Sequence, residues 1–223
     1  MTDSRTAPSR GRGRAIWPLI HSERAALAGD LASLSEDQWS APSLCAELTV
    51  REVLAHLTAG ASLDSVRWLA GVLRCRFDFD KQVAMRLAEQ LGASPGETLG
   101  RFRHVVLSTT KPPLPVVAML GETIVHGEDI RRPLGIHRDY PMATVTQVAD
   151  HYRSSDMVVL ARGRIRGLRL VACDGPFTAG AGPLVSGTTL ALVMAMTGRT
   201  SYLDDLEGDG VEVLRRRCGT GKD

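Results

Sequence analysis

Hydrophobic positions recur at helical spacing through the first 140 residues of this chain and lose that regularity afterwards. Ile20, Leu27, Leu31 and Leu34, separated by seven, four and three residues, predict a first helix from about Trp17 to Leu34. A loop with Trp39, Pro42 and Cys45 follows. Thr49 with Glu52 three residues on reads as a reciprocally capped helix start. Val50, Val53, Leu54 and Leu57 supply that helix with its apolar stripe, and His56 lies on the flank. Residues 62–74 continue this helix or open another, and residues 78–91 predict a further one. Ser94 and Pro95 open the next, which carries Leu99, Phe102, Val106 and Leu107. The run Lys111-Pro112-Pro113-Leu114-Pro115 breaks the chain. Beyond it a helix carries Glu122 and His126 and stops near Pro133 and Gly135.

After His137 the pattern changes. Residues 144–160 predict one more helix. The following stretch is rich in Gly and Arg, and within it GLRLVACD alternates as a strand. Ser186 or Thr188 opens a helix through LALVMAMTG, closed by Gly198, and GDGVEVLRRR ends the chain as a short helix. The prediction is an α+β chain. A helical bundle spans 16–140, a small α/β domain spans 141–223, and a flexible Arg-rich tail occupies 1–15.

Composition narrows the function classes. Of 223 residues 43 % are hydrophobic and only 4 % aromatic, so the core rests on Ala, Leu, Val and Met. A net charge of +2 argues against a nucleic-acid binder. No apolar run reaches the roughly 18 residues of a membrane span, and the N-terminus lacks the apolar middle of a secretory signal. Cys45, Cys75, Cys173 and Cys218 form no C-x-x-C pair. A cytoplasmic protein with reduced thiols, monomeric or homodimeric, is the expectation. Cys45 has no base nearby in sequence and reads as packing.

The candidate chemistry lies in GETIVHGEDIRRPLG. At about 100° per residue, His126 lies about 40° from Glu122 and Asp129 about 20° to the other side. Met119 and Val125 hem this polar stripe. Polar groups so placed need partners or a metal to offset desolvation. With His56 from another helix, Glu122 and His126 can form a metal site with open coordination. Asp129 can orient a ligand imidazole from behind. The competing reading is an ordinary helix-surface pair of Glu and His. His21, His104, His137 and His151 have no partner at ligand spacing. Arg199, in the turn after the last long apolar helix, is a candidate for binding a substrate carboxylate. A helix C-terminal charge is its alternative role. Arg51, Arg131 and Arg132 read as surface ion pairs.

The segments ERAALAGDL, PSLCAELTVREVLAHL and GETIVHGEDIRRPLG resemble the N-terminal metal-binding domain of the mycothiol-dependent maleylpyruvate isomerase family, within the DinB-like four-helix bundle superfamily. The region from Gly167 to Arg217 is similar to the small C-terminal domain of that family. The resemblance implies metal ligands at His56, Glu122 and His126, zinc as the metal and mycothiol as cosubstrate. One departure stands out: many relatives carry Trp where this chain has Leu48. The implied function is a zinc- and thiol-dependent enzyme that activates a thiolate for addition to a small electrophile, as isomerase or S-transferase. The alternatives are a non-catalytic metal-binding or regulatory protein on the same scaffold, and metal-dependent hydrolysis.

Overall fold

The structure is a computed structural model, and it describes residues 10–45 and 47–219. The expected α+β class holds: the chain is mostly helical, with one three-stranded sheet towards the C-terminus.

Helix α1 (Arg10–Asp30) begins two turns before the expected Trp17. Ile16 is buried, and a Cβ added at Gly13 would meet Val116 Cγ2 at 3.5 Å, so the added part of the helix runs close to other parts of the chain. Pro18 sits inside the helix without ending it. Of the expected flexible tail over 1–15, residues 1–9 lie outside the described residues and 10–15 are helical.

Helix α2 (Glu36–Ser40) replaces part of the expected loop. Ser35 Oγ accepts from the Gln38 amide, and the Gln38 side chain accepts from the Ser35 amide. The two bonds close a reciprocal cap that nucleates this short element. Helix α3 (Val50–Ser62) starts as the sequence predicts. Glu52 Oε2 accepts from the Thr49 amide at 2.8 Å and Thr49 Oγ1 accepts from the Glu52 amide at 3.3 Å. Asp64 caps α4 (Ser65–Arg74) and Asp78 caps α5 (Phe79–Gln90). Ser94 caps α6 (Pro95–Val105), with Pro95 at its first position. Helix α7 (Val116–Arg131) carries Glu122 and His126.

Helix α8 (Met142–Tyr152) ends eight residues before the expected 160. Ser154 Oγ donates to the carbonyls of Asp150 and His151, both at 3.0 Å. This hydroxyl meets carbonyls that a further turn would have used. Helix α9 (Ala161–Arg164) is a single turn. Strand β1 (Arg169–Ala172) is the alternating segment read in the sequence, whereas β2 (Thr178–Gly180) and β3 (Leu184–Gly187) were not predicted. β1 pairs antiparallel with β2 and parallel with β3, Leu170 facing Ala179 on one side and Val185 on the other. Three residues carry the chain from β2 to β3 past the start of β1. A Cβ at Gly180 or Gly182 would collide with the Leu168 or Gly167 carbonyl, and both glycines have positive φ. Only glycine fits that crossing. Thr188 caps α10 (Thr189–Met196), and α11 (Val211–Gly219) ends the described chain.

The chain forms two compact units. Among the described residues, one comprises 10–33 and 54–123, with Ile20, Leu27, Leu54, Phe102 and Leu120 fully buried. The other comprises 34–45, 47–53 and 124–219, where Leu170 and Val185 are buried together with the consecutive Leu192, Val193 and Met194 of α10. The division falls within α3 and α7, and each helix runs unbroken through it. No described helix is long and apolar enough to cross a membrane.

Candidate metal centre

Helices α3 and α7 position the candidate donors. From Ala118 to Arg131 every residue of α7 is buried except Glu122. Its polar side chains are therefore desolvated and need partners. Thr123 Oγ1 donates to the Met119 carbonyl at 2.8 Å. Glu128 accepts from the Tyr202 hydroxyl at 2.6 Å and the Tyr140 hydroxyl at 2.7 Å. Arg131 donates to Tyr140 Oη at 2.8 Å.

Glu122 leans towards α3. His56 Nε2 lies 3.8 Å from Glu122 Oε2, and both side chains line one cavity of about 200 Å³. His126 stands one helical turn beyond Glu122. His56 and Glu122 meet within the first unit, and α7 carries the chain on from Glu122 to His126. Bonds of about 2.0–2.1 Å in a tetrahedral zinc site put neighbouring donors about 3.3 Å apart, so a 3.8 Å pair needs only a small closure. Two imidazoles and a carboxylate also form a chemically suitable donor set.

Asp129 stands behind His126. His126 Nδ1 donates to Asp129 Oδ2 at 2.9 Å. That bond fixes the tautomer and leaves Nε2 as the lone-pair nitrogen. Asp129 has no solvent exposure. Burial alone would raise its carboxyl pKa, but the hydrogen bonds and charges of His126 and Arg199 hold it below the usual value.

Arg199 is the second partner of Asp129. Its Nε donates to Oδ1 at 3.0 Å and its Nη2 to Oδ2 at 2.7 Å, while Nη1 donates to the Thr197 carbonyl at 2.8 Å. The guanidinium fork thus grips a carboxylate of its own chain. Arg132 pairs with Asp205 at 2.6 Å and stacks over the Tyr202 ring at 4.1 Å. Arg131, read from sequence as a surface residue, is buried.

The structure also brings in a residue that sequence separation had hidden. Cys45 offers its sulfur within 4.8 Å of donor atoms of His126 and Asp129. Its loop is pinned by the Leu44 amide, which donates to the Asp129 carbonyl at 3.0 Å, and by Ser43 Oγ, which donates to the Leu48 carbonyl at 2.7 Å. Two donor sets therefore share His126. In the set with Cys45, however, Asp129 is already held by Arg199. Trp68, Phe79 and Val83, which line the cavity beside His56, were likewise not singled out. They sit on α4 and α5, and nothing at ligand spacing marks them.

Residues 20–82 match the model of the mycothiol maleylpyruvate isomerase N-terminal domain. No curated protein matches the chain by sequence. Two solved structures share its fold. One, the crystal structure of a mycothiol-dependent maleylpyruvate isomerase mutant, is 13 % identical with a TM-score of 0.60. The other, of the mycothiol-dependent maleylpyruvate isomerase, is 14 % identical with a TM-score of 0.58. In both comparisons 88 % of this chain and 92 % of the other are covered. The matched segment and the shared fold agree: the chain's likeness is to the mycothiol-dependent maleylpyruvate isomerase family.

Proposed function

We propose that this chain is a metal- and thiol-dependent enzyme in which His56, Glu122 and His126 hold one divalent cation. In this reading the cation is zinc and the thiol is mycothiol, the thiol named in the matched family and structures. The observation that carries the reading is that His56 and Glu122, 3.8 Å apart, both face a cavity. A purely structural zinc site closes its coordination with side chains, whereas a reactive one keeps a position open. A zinc ion there would supply positive charge that favours the thiolate form of an entering thiol.

The chain's own residues do the rest. Asp129 holds the His126 ring in one orientation and tautomer. Arg199 compensates the buried Asp129 charge, so in this reading it acts through Asp129 and not on the substrate. Apolar walls beside His56 keep water from the reacting thiol. A thiolate that adds to a conjugated double bond converts it to a single bond, which can rotate. Loss of the thiolate then returns the isomer, and retention of the adduct gives an S-transferase. The geometry accommodates both outcomes.

The test is a thiol titration of the cobalt-substituted protein, followed by visible absorption, paired with turnover of a conjugated substrate. The expected result is a thiol-dependent change in the cobalt spectrum and turnover that requires both metal and thiol. A cobalt spectrum that no thiol changes would overturn the reading.

A further inference from the structure

We propose that the cavity beside His56 and Glu122 takes an electrophile with an apolar body and at most one carboxylate, and that it disfavours a dicarboxylate. The assignment rests on the enzyme reading above and names its substrate class. Most of the wall is apolar: Leu57, Leu63, Trp68, Phe79, Leu114 and Met119. Two neutral polar side chains among the lining residues donate to partners within the chain. Gln82 Nε2 donates to the Trp68 carbonyl at 3.0 Å, and Thr123 Oγ1 donates to that of Met119.

Two cations line the cavity, and both are engaged. Arg86 Nη1 grips both Glu89 oxygens, at 2.9 and 3.2 Å, and its Nη2 donates to the Arg67 carbonyl at 2.8 Å. Glu89 compensates its charge, although Arg86 Nε is buried without a hydrogen-bond partner. Arg24 Nη1 donates to the carbonyls of Ser108 at 3.0 Å and Val105 at 3.3 Å. Those partners are neutral, so Arg24 keeps a charge that one carboxylate can answer. A second carboxylate would meet apolar wall, Glu122 or an Arg86 already paired with Glu89, and a desolvated charge without a partner is strongly disfavoured. The mouth continues the apolar character: Phe79 is 56 % and Val83 46 % exposed. Side chains of that kind left in solvent mark a surface that gains by covering. A volume of about 200 Å³ suits one aromatic ring with a short unsaturated chain.

The test uses 4-phenyl-3-buten-2-one, a neutral aryl enone, and maleate, a small dicarboxylate. Each is titrated calorimetrically into the metal-loaded full chain without thiol. The enone is expected to bind at least tenfold more tightly than maleate, with the negative heat-capacity change of apolar burial. Val83→Glu and Phe79→Ser, both at exposed positions, should each weaken enone binding about tenfold. Leu107→Glu, at an exposed apolar position outside the cavity lining, should leave it unchanged. Maleate binding as tightly as the enone, or enone binding indifferent to both mouth variants, overturns the assignment. Enone binding that follows this pattern while the cobalt spectrum ignores thiol supports the assignment and removes only the thiol chemistry.

Discussion

Asp129 holds His126 within their common unit. It has no solvent exposure, and its two oxygens meet His126 and the fork of Arg199. Removing one partner of such a pair leaves a buried charge uncompensated. Arg199→Ala should therefore cost about 3 kcal/mol in urea denaturation of the metal-free protein, the low end for a buried pair because Arg199 keeps some exposure. Tyr202 supports the same helix through Glu128. Burial and the Glu128 charge push its hydroxyl above the ordinary tyrosine value. A raised folded-state pKa contributes stability that is fully present below the unfolded value of about 10. Above that pH the unfolded chain ionises while the folded one keeps its proton, so the contribution is lost as pH rises. Stability of the wild type should fall more steeply above about pH 10 than that of Tyr202→Phe, as read by urea midpoints across the alkaline range.

Local capping explains which elements the sequence announces. Thr49 and Glu52 predicted the start of α3, and both bonds of the reciprocal cap are present. Thr49→Ala should cost about 1 kcal/mol, seen as a lower unfolding midpoint, and leave metal stoichiometry unchanged. Ser94 with Pro95, and Thr188 before α10, were legible for the same reason. The reciprocal cap of Ser35 and Gln38 is equally local, but the five-residue helix it opens has no apolar period to read. β2 and β3 are three and four residues long and depend on Gly180 and Gly182 crossing beside β1. That requirement comes from tertiary contact and leaves no alternating pattern. The stripe of Glu122, His126 and Asp129 could be read because one helix fixes their angles. The approach of Cys45 to His126 and the grip of Arg199 on Asp129 could not, because loops deliver both.

For the whole molecule, the fold is shared with solved structures at 13 % and 14 % identity. Core patterning can be preserved through such divergence, because many apolar sequences fill one architecture. The chemistry must then be argued from the site itself. The central claim is that His56, Glu122 and His126 hold one cation, although Cys45, His126 and Asp129 also gather donor atoms within 4.8 Å. The two sets share His126, so only their unshared members discriminate. The deciding measurement is zinc content by elemental analysis of the wild type, His56→Ala and Cys45→Ser after equilibration with zinc and removal of excess. The account predicts about one zinc per chain in the wild type and Cys45→Ser, and almost none in His56→Ala. Zinc retained by His56→Ala and lost from Cys45→Ser would contradict it.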